Sequence, residues 1–153
     1  MMKDIFICYA LERDYLDELK SRLDQISLGA EDVGFTTYAH IRDHQNWQFH
    51  NEPIRDVLDR SFKAIRASKV VLLDLTSMNF SKRTGLNIEA GYAKALNKKI
   101  VAIYLNDDRP NMTTDLADAV ISYSDKQEIR IKVRELLRKL EQFSVHPTNE
   151  HNV

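Results

Sequence analysis

The sequence predicts a doubly wound α/β domain, with five parallel strands in the order 2-1-3-4-5 and helices on both faces. Three observations carry that reading. Short runs of β-branched and aliphatic residues alternate with longer segments whose apolar residues recur at helical spacing. The clearest strand, Val70-Val71-Leu72-Leu73, is apolar without alternation, as strands buried on both faces are. At 153 residues, with 43% hydrophobic and 29% charged, the chain has the length and balance of one globular domain.

The elements follow in order. Ile5-Phe6-Ile7-Cys8-Tyr9 has strand length, and Tyr15, Leu19, Leu23 and Ile26 then mark one face of a helix. Gly29 and Gly34 punctuate the turn into a second strand, Phe35-Thr36-Thr37-Tyr38. A polar, aromatic loop is predicted over 40–53. Pro53 suits a helix start, and Ile54, Val57, Leu58, Phe62 and Ile65 continue at helical spacing. After the strand at 70–73, a loop leads to a helix over 85–97 and a strand over 100–105. A turn with Pro110 follows, then a short helix and a fifth strand, Val120-Ile121-Ser122-Tyr123, within 116–123. Ile129, Val133, Leu136, Leu137, Leu140 and Phe143 mark the last helix. The domain is expected over 1–144, with a polar tail over 145–153 that frays or serves a neighbouring subunit. In sheets of this flavodoxin-like kind, ligands bind at the carboxyl ends of the strands, near the switch between strands 1 and 3. The positions after Tyr9, Tyr38, Leu73 and Leu105 are therefore the ones to inspect.

Charge and cysteine usage exclude several classes. Lys plus Arg number 22 against 23 Asp plus Glu, a net charge of −1, which does not suit a nucleic acid polymer as partner. The single cysteine, Cys8, rules out an internal disulfide and a cysteine metal cluster. No apolar stretch at the N-terminus has the length of a signal peptide or membrane span, so a cytoplasmic protein with no membrane partner is expected.

One carboxylate does not fit its face. On a wheel of about 100° per residue, Leu86, Ala93, Leu96, Gly85, Tyr92, Ile88 and Ala95 fall in one half, with Asn87, Lys94, Ala90 and Gly91 opposite. Glu89 lies in the apolar half, with Gly85, Leu86, Tyr92 and Ala93 as its helical neighbours and no cation among them. Such a group is costly unless compensated. Either it ties elements together through a distant Arg or backbone amide, or it works at a site. A second carboxylate, Asp74, follows the strand 70–73 at the ligand edge, where it either caps a turn or acts in the site. Paired carboxyl groups are the usual equipment for cleaving a glycosidic bond. The loop between the two carries Thr76, Ser77, Asn79, Ser81 and Thr84, suited to sugar hydroxyls.

The run Gly85-Leu86-Asn87-Ile88-Glu89-Ala90-Gly91-Tyr92-Ala93-Lys94-Ala95-Leu96 resembles the signature of nucleoside 2-deoxyribosyltransferases. Ser68-Lys69-Val70-Val71-Leu72-Leu73-Asp74 resembles the strand and aspartate that lead into it. The resemblance implies that Glu89 is the nucleophile forming a deoxyribosyl-enzyme intermediate, that Asp74 assists the departing base, and that Tyr9 positions the sugar. It also implies a small-molecule nucleoside or nucleotide substrate, a homo-oligomer and no cofactor. With Tyr9, the candidate substrate-binding set is Trp47, Thr76, Asn79 and the signature's Tyr92. The chain departs from the family in Leu75-Thr76-Ser77-Met78, where a small residue usually follows the aspartate.

The N-terminal third, Asp4-Ile5-Phe6-Ile7-Cys8-Tyr9-Ala10 with Arg13-Asp14-Tyr15, resembles the opening of TIR domains, whose enzymatic members cleave NAD with a glutamate. A TIR-like NAD hydrolase and a non-catalytic nucleotide-sensing or interaction module are therefore the alternatives. In the 40–53 loop, Trp47 is suited to stacking on a nucleobase. His40 and His44 have metal-like spacing, but a third ligand is not evident and no metal is expected.

Overall fold

The computed structural model describes residues 3–76, 83–106 and 111–145. Strand β1 (Ile5–Tyr9) divides its residues between two cores, Ile5 and Ile7 in one, Phe6 and Cys8 in the other, as strand geometry requires. A 3-10 turn, Arg13–Tyr15, leads into α1 (Leu16–Glu31), whose Leu19, Leu23, Ile26 and Ala30 form a buried stripe. There follow β2 (Thr37–Tyr38), α2 (His40–Asp43), α3 (Ile54–Ala67), β3 (Val70–Asp74) and α4 (Thr84–Ala95). The chain continues with β4 (Lys99–Leu105), α5 (Asn111–Asp115), β5 (Ala119–Tyr123) and α6 (Gln127–Val145). All neighbouring strands run parallel, in the order β2-β1-β3-β4-β5, which is the predicted fold.

The two cores set the layers. Ile5, Ile7, Val70, Leu72, Val101 and Ile103 pack under α1 and α6; Phe6, Cys8, Val71, Leu73, Ile100 and Ala102 pack under α3 and α4. Every residue of β3 is buried, which explains its unalternating apolar run. Register brings Tyr9 beside Asp74, and Asp74 beside Ile103, at the carboxyl edge. Among the described residues no helix is long and apolar enough to cross a membrane.

Four local expectations are corrected. The second strand is only two residues long, because Phe35 turns its N–H back to the Ala30 carbonyl at 3.0 Å. The predicted loop at 40–53 opens instead with the helical turn α2, held by the Ala39 N–H donating to Asp43 Oδ2 at 2.8 Å. On α4 the buried stripe is Leu86, Ala90 and Ala93, while Ile88 is 44% exposed and Leu96, Gly85 and Ala95 also face outward. Close approach to the sheet favours small side chains, and a wheel drawn on polarity alone does not weigh that. The predicted short helix at 116 is seen earlier, as α5. Residues 146–153 of the expected tail lie outside the described residues.

The contact between α1 and α6 depends on Gly29. A Cβ there would stand 2.6 Å from the Arg130 carbonyl oxygen and 3.0 Å from Val133 Cβ. Helix propensity alone would favour alanine by up to about 1 kcal/mol, but this overlap is with backbone that moves only with its helix. Gly29→Ala is expected to destabilise the domain by about 1–3 kcal/mol, seen as a lower urea midpoint. A midpoint equal to or above the parent's would mean that α6 withdraws without cost.

Candidate active site

Helix α4 starts at the carboxyl edge of the sheet and carries Glu89 half-buried beside its Leu86–Ala90–Ala93 stripe. Four groups surround the carboxylate electrostatically: Cys8 and Tyr9 at the end of β1, Tyr38 at the end of β2, and Ser61 of α3. Burial pushes the Glu89 pKa up to about 7, against a hydrogen bond from Ser61 that pulls it down. No cation among the described residues offsets its charge. Of the two readings open for Glu89, the tie to a distant Arg is therefore not seen, and the carboxylate stands desolvated beside hydroxyl groups.

Tyr9 is fixed by the Ile41 N–H, which donates to its hydroxyl oxygen at 2.7 Å. Burial raises the pKa of the phenol, so it stays protonated and can donate. Tyr38 stacks on Phe6 at 5.8 Å and lies 3.5 Å from His40 Nδ1. His40 is buried, which lowers its pKa together with the neighbouring His44, so the imidazole is neutral. The two rings stack at 4.9 Å, and His44 meets Glu52, itself paired with Arg60 at 2.8 Å. Among the described residues no cluster of three His, Cys, Asp or Glu side chains is placed to hold a metal ion.

Asp74 is brought to the same edge but not to Glu89. It continues the Val70–Leu72 face of β3, turned toward α1, whereas Glu89 belongs to the α4 layer. Its side chain is 0% exposed; Oδ2 accepts from Arg22 Nε at 3.0 Å and Oδ1 from the Thr76 N–H at 3.1 Å. Both carboxylate oxygens are thus engaged, one by a guanidinium and one by a backbone amide. Arg22 also donates to the Thr76 carbonyl at 3.3 Å, and Thr76 Oγ1 lies 2.5 Å from the Tyr123 hydroxyl. Arg22, Thr76 and Tyr123 line a cleft of about 590 Å³ between α1 and the turn into α6, a volume that suits a small ligand. Its walls include Tyr15, Leu19 and Leu105.

The remaining candidates are scattered. Trp47 holds a left-handed φ of 61°, rare for a bulky residue, and its ring face is covered by Lys20 Nζ at 5.5 Å. Tyr92 packs on Phe62 at 4.3 Å and accepts from Arg66 at 2.7 Å, which makes it part of the α3–α4 contact. Asn79 lies outside the described residues. Two residues of this edge escape the sequence reading, Ser61 beside Glu89 and Arg22 beside Asp74. Ser61 had a signal: it sits seven residues after Ile54 and four after Val57, a polar residue inside the apolar stripe of α3.

No curated protein matches the chain by sequence. Clostridium botulinum CMP N-glycosidase BcmB shares the fold at 17% identity, with a TM-score of 0.58 over 86% of this chain and 98% of that one. BlsM matches at 15% identity with a TM-score of 0.67 over 97% of both chains. An NAD(P)H:quinone oxidoreductase from Methanothermobacter marburgensis matches at 13% identity, TM-score 0.55, over 92% of this chain and 100% of that one. At such identities these likenesses speak for the fold. The family itself is given by the sequence, for the model of nucleoside 2-deoxyribosyltransferases matches residues 10–124: the chain belongs to that family.

Proposed function

We propose that this protein cleaves or transfers at the N-glycosidic bond of a nucleoside or nucleotide, with Glu89 as the nucleophile. The observation that carries the reading is the desolvated Glu89 carboxylate at the sheet edge, beside Tyr9, in a chain of this family. A carboxylate deprived of water and of a counter-charge is raised in energy as an anion. Forming an ester to the anomeric carbon relieves that. Tyr9, locked by the Ile41 amide and protonated, positions the sugar or the carboxylate through its hydroxyl. Asp74 enters as a positioning residue, since it fixes Arg22 and the Thr76 backbone at the wall of the cleft. The same reading expects a cytoplasmic homo-oligomer, and the outward Ile88 and Leu96 of α4 offer a surface for a second copy.

The test is base release, followed by chromatography, from deoxynucleosides, their monophosphates and NAD, with and without a second base. Release that disappears in Glu89→Ala supports the reading. Appearance of a new nucleoside when a second base is present marks transfer, and free sugar marks hydrolysis. Folded protein that releases no base from any substrate refutes the proposal and leaves the interaction module.

A further inference from the structure

We propose that His40 is a positioning residue for Tyr9: its uncharged, buried ring holds helix α2 against the Tyr9 hydroxyl, and protonation of His40 releases that hold. The inference rests on the glycosidic reading only in counting Tyr9 as a residue of the site, to which it adds a proton switch.

The ground is the join between α2 and the end of β1. The Ile41 N–H donates to the Tyr9 hydroxyl oxygen at 2.7 Å, and the Ile41 carbonyl accepts from the Trp47 N–H at 2.7 Å. The Tyr9 hydroxyl is therefore fixed by a single helical turn, His40–Asp43, with no further helix or strand before α3. Beyond that turn, Asn46 and Trp47 both lie in the left-handed region, at φ 49° and 61°, a conformation costly for the indole. An element this short, with strain on one side, shifts for a small change in its supports.

His40 opens the turn and is only 6% exposed. The Tyr38 hydroxyl lies 3.5 Å from its Nδ1, and the His44 ring stacks on it at 4.9 Å. Nε2 is buried and has no hydrogen-bond partner among the described residues. A neutral imidazole carries one N–H and tolerates this; an imidazolium carries two and finds no acceptor for the second. The groups around the ring do not supply one. Burial keeps the Tyr38 phenol of β2 protonated. Asp43 of α2 is engaged by Arg42 and by the Ala39 N–H. Glu52 is taken by Arg60 of α3 at 2.8 Å and by His44 at 3.2 Å, and His50 turns to the Gln45 carbonyl. Burial, with His44 alongside, accordingly lowers the His40 pKa.

Once α2 moves and the ring meets water, that pKa returns toward its ordinary 6.5. Above this value neither arrangement takes a proton, and α2 stays in place. Below it the displaced turn binds a proton from solvent that the native one refuses, so displacement gains as pH falls, until the native ring is protonated as well. The displaced turn carries the Ile41 amide away from Tyr9, and the phenol loses its fixed orientation.

The experiment uses the whole protein without substrate. Trp47 is the only tryptophan in the chain, and its amide is bonded to the same Ile41, so its emission reports the turn. Emission and hydrogen exchange at the Ile41 amide are followed from pH 8 to 5. The expected result is a one-proton change in emission below pH 6.5, where Ile41 protection, corrected for intrinsic exchange, falls by up to about tenfold per pH unit. His40→Gln, neutral at every pH, should abolish both changes, and Glu89→Gln should keep them. In base release, the acid limb of the parent should steepen from one proton to two below pH 6.5 and return to one in His40→Gln. A transition that persists in His40→Gln overturns the inference. So does constant Ile41 protection in the parent, which decides the question even where His40→Gln does not fold. The transition without base release from any substrate overturns the glycosidic reading and leaves the switch standing.

Discussion

Glu89→Gln is expected to reduce base release by about 10⁴-fold or more and, in the same protein, to raise stability above neutral pH. Both effects come from one cause. The folded carboxyl titrates at about 7 against an ordinary 4.5, because burial penalises its charge. Below 4.5 the group is protonated folded or unfolded, and nothing is lost. Between 4.5 and 7 the folded state keeps a proton the unfolded chain releases, so stability falls as pH rises. Above 7 the full penalty is present, on the order of 3 kcal/mol for a shift of this size. Glutamine is neutral throughout and removes it. The difference in urea midpoint between variant and parent should be near zero at pH 4, grow through pH 5 to 7, and level off. Activity of the parent should follow the anion, rising through pH 7 and flattening above. Ser61→Ala, which removes the hydrogen bond favouring the anion, should carry that limb to higher pH. A variant no more stable than its parent at pH 8 would falsify the desolvated carboxylate on which the nucleophile assignment stands.

The architecture was legible because each element kept its own period. β3 reads as a central strand from four residues, and α1 and α6 from leucine and isoleucine spacing, since burial on one or two faces leaves those patterns in any sequence. Glu89 stood out as a charge among apolar residues of α4, although much of that apolar half faces outward and the buried stripe runs through Leu86, Ala90 and Ala93. Its company was only partly legible: Tyr9 and the out-of-place Ser61 left signals, but which elements bring them to Glu89 depends on how α3 and α4 pack together. Asp74 shows the converse limit. Its place at the strand end is plain from the sequence, but its direction follows from the parity of β3, which aims Val70, Leu72 and Asp74 at α1 rather than α4. Two carboxylates on either end of one loop thus look like a pair and lie in different layers. Trp47 is a third case, an aromatic suited to a base whose ring face is already covered by Lys20 of α1.

The parity of Asp74 leads to the second large effect, on stability. Arg22→Ala is expected to cost about 3–5 kcal/mol, because it strands a carboxylate that is 0% exposed. The loss should not be read as the worth of the ion pair. Desolvating both charges opposes most of their attraction, so replacing the two together by neutral groups of similar shape should be far milder than removing one. Arg22→Met with Asp74→Asn is therefore expected to recover most of the urea midpoint lost in Arg22→Ala, with a coupling well above what distant sites show. The same double variant separates the two roles open to Asp74. If the aspartate only fixes Arg22 and Thr76, the doubly substituted protein folds and retains Glu89-dependent base release, with its main change in KM because the wall of the cleft is altered. If Asp74 delivers a proton to the base, kcat collapses on neutral nucleosides while the fold persists, and the positioning role is wrong. The ratio of those two kinetic changes therefore decides between the two roles of Asp74.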